Sequence, residues 1–186
     1  MKHLIIITPV SRHDNLKIIE QSINIPEKEY TWIRVFDDNK LPENITFRRG
    51  IINMFYKTKN GVSGNEQRNE ALKFLQDVSG KEYYILFLDD DTILHPDLWE
   101  NIKEEDSDFI SFMQNDKHGN LRLKGDVVML NHVGSGNFVT ALNVIGDLLW
   151  DVKRRDADGI FAHECFRRAN SRKYIPKVLS MYNALT

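Results

Sequence analysis

From His3 to Thr8 the chain reads HLIIIT, a nearly unbroken apolar run closed by Pro9. A strand covered on both faces of a parallel sheet has that pattern. The period then changes. Leu16, Ile18, Ile19 and Ile23 form an apolar stripe between a capping Asp14 or Asn15 and Pro26, which predicts a helix. Thr31 to Phe36 (TWIRVF) predicts a second strand running into Asp37 and Asp38; the polar stretch to Pro42, Glu43 and Asn44 reads as loop, and Ile51 to Tyr56 as a third strand. Asn65 to Val78 reads as helix, with Ala71, Leu72, Leu75 and Val78 along one side and Ser79-Gly80 as its stop. Tyr83 to Leu88 (YYILFL) is the strongest strand signal in the chain.

Beyond it, Pro96 to Ile102 suits a short helix, and Phe109 to Met113 and Val127 to Leu130 suit strands joined by a polar, turn-like Asn115 to Gly125. Asn137 to Val144 is apolar and β-leaning, Gly159 to Ala169 is helical, and Tyr174 to Met181 holds a last short strand broken by Pro176. Alternating strand and helix predict an α/β sandwich with a mostly parallel sheet. Ligands in such sheets collect beyond the carboxyl ends of the strands. Three clusters fall there: Thr8-Pro9, Asp37-Asp38 and Asp89-Asp90-Asp91.

With 186 residues, 41% hydrophobic and 28% charged, the chain can bury one sizeable core, so a single domain over residues 1–186 is expected. A net charge of -2 offers no broad basic face for nucleic acid. The single cysteine, Cys165, excludes an internal disulfide and a multi-cysteine zinc site, which fits a reducing compartment. Leu4 to Ile7 is too short for a signal-peptide core or a membrane span, so a cytoplasmic protein with no membrane span is expected.

The segment LFLDDDTIL (86–94) carries the chemistry. Three adjacent carboxylates at a strand end repel one another, which raises their pKa values unless a positive partner sits among them. In extended backbone Asp89 and Asp91 share one face and Asp90 takes the other. Hard oxygen ligands of this kind suit magnesium or manganese, which keep water and phosphate oxygens as further ligands. A solvated acidic turn capping the next helix is the alternative.

LFLDDDTILHPDLWE (86–100) resembles the DxD region of nucleotide-sugar glycosyltransferases with the GT-A fold, in which the motif holds a divalent ion against the donor diphosphate. Upstream stand GNEQRNEAL (64–72), Ile7-Thr8-Pro9 and Trp32 to Asp37. In this order the segments are similar to the inverting glucuronyltransferases of glycosyltransferase family 43, and more loosely to family 2. The resemblance implies a single-domain, Rossmann-like GT-A sandwich, with residues 1–92 as a nucleotide-binding half and 93–186 as an acceptor-side half. It implies a UDP-sugar donor, Mn2+ or Mg2+, and a carbohydrate or glycan acceptor.

By that likeness Thr8 and Pro9 line the nucleotide pocket, Asp37 meets the uracil, and Arg68 sits among the acids and the nucleotide. Asp89 and Asp90 lie near the ribose and Arg68; Asp91, with Asp89 beside it, binds the metal. The base is Glu164 in DGIFAHECFRR (158–168), where His163 replaces the first acid of the family 2 pair, and Asp158 is its rival. A plain amphipathic helix is the alternative there. HVGSGNFVTAL (132–142) resembles the small-residue floor beneath the donor sugar, with Gly136 and Asn137 in it, or is a bulged turn before a core strand. The phosphate-side histidine of family 43 has Tyr182 in its neighbourhood here. Two other readings stand beside this one. Asp89 to Ile93 approximates the nucleophile motif of haloacid-dehalogenase phosphatases, although that motif normally ends the first strand, and an inactive nucleotide-sugar binding module needs the same pocket.

Overall fold

The apolar runs assemble into one nine-stranded sheet, accompanied by five α-helices among the described residues. The computed structural model describes every residue except 1, 38–44, 46, 60, 81, 131 and 186. Asp38 and the loop expected over Pro42, Glu43 and Asn44 lie outside the described residues.

Strands β1 (His3–Val10), β2 (Tyr30–Asp37), β3 (Ile51–Tyr56) and β4 (Tyr83–Phe87) run parallel, in the spatial order β3-β2-β1-β4. Their apolar runs are explained by burial on both faces: Leu4, Ile6, Ile7, Trp32, Ile33, Ile85 and Leu86 are all fully shielded. Each such side chain contributes roughly 1.5–3 kcal/mol. From β1 the chain steps outward through β2 to β3 and then returns to the opposite side of β1 as β4. The strand order therefore reverses between β1 and β4, which opens a crevice at their carboxyl ends.

The second half differs. Strands β5 (Ile93–Leu94), β6 (Phe109–Asn115), β7 (Leu121–Leu123), β8 (Phe138–Ala141) and β9 (Arg172–Met181) continue the sheet as β4-β8-β6-β9-β5, with β7 paired to β6. Strand β8 runs antiparallel to β4 and β6, whereas β9 is parallel to β6. The α/β expectation holds, but the sheet is mixed, and only its first half is wholly parallel. The physical reason is connectivity: β6 turns back through β7, and no described helix crosses over between β6 and β8.

Three local expectations change with it. Val127 to Leu130 is irregular, and the short strand forms instead at β7, inside the segment read as turn. The run from Asn137 is strand only to Ala141, where α4 (Leu142–Ile145) begins. Pro176 does not break β9: pairing jumps from Phe112 with Ile175 to Met113 with Val178, so Pro176 and Lys177 sit in a bulge where a missing N–H costs no rung.

The remaining helices are α1 (Leu16–Ser22), α2 (Asn65–Phe74), α3 (Leu98–Ile102) and α5 (Ala157–Arg168). None is long and apolar enough to cross a membrane among the described residues. Helix α2 packs on β1, β2 and β3. In the aromatic core Phe87 meets Trp150 edge-on at 4.9 Å and Phe161 at 5.3 Å, and Trp150 stacks on Phe161 at 4.7 Å.

The turn into α2 touches the end of β1. Gly64 has φ +74°, and a Cβ there would lie 2.5 Å from Pro9 Cβ. Only glycine fits both demands. Gly64→Ala is expected to lower stability by about 2–4 kcal/mol, measured by urea unfolding, because Pro9 belongs to a buried strand that cannot retreat.

Candidate active site

The last bond joining β4 to β1 is the one Leu88 N donates to Ile7 O at 2.9 Å, and the three carboxylates follow immediately. Each meets different company. Asp90 faces β1: its Oδ2 accepts from Ser11 N at 2.6 Å, Ser11 Oγ at 2.8 Å and Arg12 N at 2.7 Å, and its Oδ1 accepts from Arg12 Nη1 at 2.6 Å. Asp90 thus bridges the two strands between which the sheet order reverses. Asn15 Nδ2 donates to Asp90 O at 2.8 Å and to Leu185 O at 2.9 Å, which ties the tail after β9 to the same corner.

Asp89 turns the other way. It accepts from Arg68 Nη2 and, at 2.7 Å, from Ser135 Oγ. Asp91 lies between, buried, with Arg12 Nη1 3.0 Å from its Oδ2 and Thr92 Oγ1 3.3 Å from its Oδ1. Desolvation and then the nearby Asp89 charge push its pKa up, and Arg12 opposes them.

Helix α2 explains why GNEQRNEAL is so polar while so deeply buried. Asn65 Nδ2 donates to Asp151 O and Arg154 O, both at 2.9 Å. One turn later Asn69 both donates to Trp150 O at 2.9 Å and accepts from Trp150 N at 2.7 Å. Glu66 Oε2 accepts from Lys59 N at 2.8 Å. These side chains hold irregular segments that would otherwise bury unpaired backbone groups. Arg68 lies among them, 3% exposed, fixed by Ser63 O at 2.5 Å and Asn65 Oδ1 at 3.1 Å, with its guanidinium 4.6 Å from the Trp150 ring. The carboxylate it holds is Asp89.

The opposite wall comes from the second half. Gly136, at φ +82°, and Asn137 form the turn that presents Ser135: Asn137 Oδ1 accepts from Gly134 N at 3.0 Å, and Gly136 O accepts from Ser180 Oγ at 2.5 Å. Beside Gly134 stands Asp158 in the first turn of α5, its Oδ1 accepting from Gly159 N at 2.8 Å. Burial raises the Asp158 pKa most and the Asp89 charge adds to it, against the Gly159 hydrogen bond, Arg68 and Arg122. Arg122 lies 3.6 Å over the Tyr182 ring and donates to Gln114 Oε1 at 2.6 Å.

These walls enclose a cavity of about 580 Å³. Pro9, Asp37, Arg68, Asp89, Asp90, Asp91 and Asp158 line it, so most of the residues singled out from the sequence come together. Thr8 does not reach it: the side chain is fully buried and its Oγ1 accepts from Trp32 Nε1 at 2.9 Å. Gly136 and Asn137 are buried behind the cavity surface, which their neighbour Ser135 lines. Glu164 is not brought to the cavity. It lies six residues beyond Asp158 on α5, about 9 Å along the axis and on another side of the helix. There it pairs with Arg167 at 3.1 Å, and His163 next to it is exposed. Arg12, Ser135, Arg122, Trp150 and Arg155 also line the cavity and were missed in the sequence. Of these only Ser135 carried a signal, its place between two glycines.

Among the described residues no cluster of three His, Cys, Asp or Glu side chains is arranged to hold a metal ion alone. Cys165 is buried and its thiol is pushed up to about 12, chiefly by burial, which excludes it as a nucleophile at neutral pH.

No family model and no curated protein sequence matches the chain. Solved structures do match its fold. The S. aureus TarS 1-349 crystal structure superposes with a TM-score of 0.73 at 17% identity, covering 98% of this chain and 60% of that one. TarS 1-349 in complex with UDP-GlcNAc gives 0.70 at 17% identity, over 97% and 58%. The mannosyltransferase PcManGT from Pyrobaculum calidifontis in complex with GDP-Man and Mn2+ gives 0.66 at 10% identity, over 97% and 56%. The chain thus spans under two thirds of these proteins. It has the GT-A-like α/β fold.

Asp90→Asn is expected to cost about 2–3 kcal/mol of stability, measured by urea unfolding. Whichever way the amide turns, its NH2 faces a donor from Ser11 or Arg12.

Proposed function

We propose that the chain is the catalytic domain of a metal-dependent inverting glycosyltransferase, moving a sugar from a UDP-sugar to a hydroxyl of a glycan or other carbohydrate acceptor. The observation that carries this reading is the cavity at the β1/β4 reversal, where the acidic triplet, Arg68 and Asp158 face one another.

The residues fit an ion shared with the donor better than one caged by protein. Asp91 is a buried carboxylate with a raised pKa, and magnesium or manganese needs only one or two such groups beside phosphate oxygens. Asp91, with Asp89 beside it, would hold the ion, and such an ion offsets charge on the departing diphosphate. Arg68 Nε is buried without an acceptor, an unmet demand that a ligand oxygen would answer. Pro9 and Asp37 lie on the nucleotide side, and the likeness around Asp37 supports uracil as the base. Fold neighbours bound to UDP-GlcNAc and to GDP-Man support a nucleotide-sugar donor in general.

Asp158 is the better placed base. Its raised pKa brings the carboxylate towards the working pH, where proton acceptance is most effective. In one displacement the acceptor hydroxyl gives its proton to Asp158, its oxygen bonds to the anomeric carbon, and the bond from that carbon to the diphosphate breaks, releasing UDP. The phosphatase alternative needs its nucleophile motif at the end of the first strand, whereas the triplet follows β4, the fourth strand of the chain. A binding module without turnover is separated from the transferase by UDP release from the sugar nucleotide.

Asp158→Asn is expected to keep UDP binding in calorimetry and lower transfer roughly 10²–10⁴-fold, while Glu164→Gln transfers at the parent rate. The reverse result would make Glu164 the base.

The same group sets a pH dependence. Asp158 must be ionised to accept a proton, so transfer falls as pH drops through its raised pKa, above the ordinary value of about 3.9. For stability the sign is opposite. The neutral acid favours the fold fully below about 3.9, and that contribution is lost as pH rises through the folded value. Asp158→Asn therefore melts above the parent at neutral pH, and the gap closes in acid.

A further inference from the structure

Arg12 occupies a position that the proposed chemistry does not use. It follows β1, and a single nitrogen, Nη1, serves two carboxylates, 2.6 Å from Asp90 Oδ1 and 3.0 Å from Asp91 Oδ2. The two acids are almost wholly buried, whereas half of the Arg12 side chain is exposed and lines the cavity. Its Nε and Nη2 make no bond among the described residues. Asp90 keeps three other donors, all on its Oδ2; Asp91 keeps only the long contact from Thr92. Arg12 is thus dispensable to one acid and the main positive partner of the other.

We propose that Arg12 is a resident counter-ion that holds the Asp91 oxygen needed by the divalent ion, yields it when ion and nucleotide arrive, and passes its free guanidinium nitrogens to the diphosphate. This rests on the reading of the cavity as a nucleotide-sugar site. A guanidinium and a divalent ion cannot share Asp91 Oδ2, because like charges at contact distance repel strongly in a partly desolvated site. The exchange is inexpensive on the arginine side: an ion pair with one half-exposed partner holds weakly, and Arg12 retains Asp90 when it leaves Asp91. It is favourable on the ligand side, since guanidinium matches phosphate oxygens in a planar fork. The device offsets part of the triplet's negative charge in the free protein and makes the ion bind together with the nucleotide rather than ahead of it.

The test is calorimetric titration of Mn2+, without and with UDP, into the parent, Arg12→Ala, Arg12→Gln and Asp91→Ala, each checked for fold by circular dichroism. Glutamine keeps a donor for Asp90 while removing the charge. Without UDP, both Arg12 variants are expected to take Mn2+ about tenfold more tightly than the parent. At saturating Mn2+ both are expected to bind UDP about tenfold more weakly. Asp91→Ala abolishes Mn2+ uptake in either case. If the parent takes Mn2+ with UDP but the Arg12 variants bind it no more tightly, the counter-ion role is overturned and the site reading stands. Tighter Mn2+ with unchanged UDP affinity overturns the hand-over to the diphosphate. Failure of every protein to take Mn2+, with or without UDP, overturns the site reading and the inference together.

Discussion

Three carboxylates can stand side by side at the mouth of a buried sheet because each leans on a different element. Asp90 reaches back to Ser11 and Arg12 after β1, Asp89 reaches across to Arg68 and Ser135, and Asp91 stays between them against Arg12. Two arginines meet three acids, which leaves the corner negative and Asp91 reluctant to ionise. Much of the surrounding structure serves this balance. The close approach of Gly64 to Pro9 brings α2 and its Arg68 near the end of β1, and the turn at Gly136 presents the Ser135 hydroxyl from the opposite wall.

Helix α2 shows how stability and site architecture share residues. A helix packed on a parallel sheet ordinarily offers an apolar face, yet Asn65, Gln67, Arg68 and Asn69 are all nearly buried here. The hydrogen bonds of Asn65 and Asn69 order residues 150–154 and carry Trp150 under the Arg68 guanidinium. Stacking of Trp150 on Phe161 then links the positive group of the site to α5, whose first turn carries Asp158. Polar satisfaction thus takes the place that hydrophobic contact holds elsewhere in the core.

Where the sequence could be read and where it could not follows from the range of the interactions involved. The continuous runs of β1, β2 and β4 and the helical spacing of α1 and α2 are local properties, visible because strand and helix have different periods. The proline in β9 misled for a non-local reason: the bulge that accommodates it exists only because β9 pairs with β6. The order of strands after β4 and the antiparallel β8 depend on pairings that no local pattern encodes. Glu164 and Asp158 share a helix and a chemistry, and only the packing of α5 turns one into the cavity and leaves the other paired with Arg167.

By itself the chain determined its α/β class, the acidic triplet after a buried strand, and the motif that supplies Arg68, since these are matters of composition and period along the chain. The tertiary structure alone decided which partners the acids receive. Arg12 meets Asp90 across 78 residues and Ser135 meets Asp89 across 46. Contacts of that span are set by sheet order and loop closure, and the spacing of residues along the chain carries no trace of them.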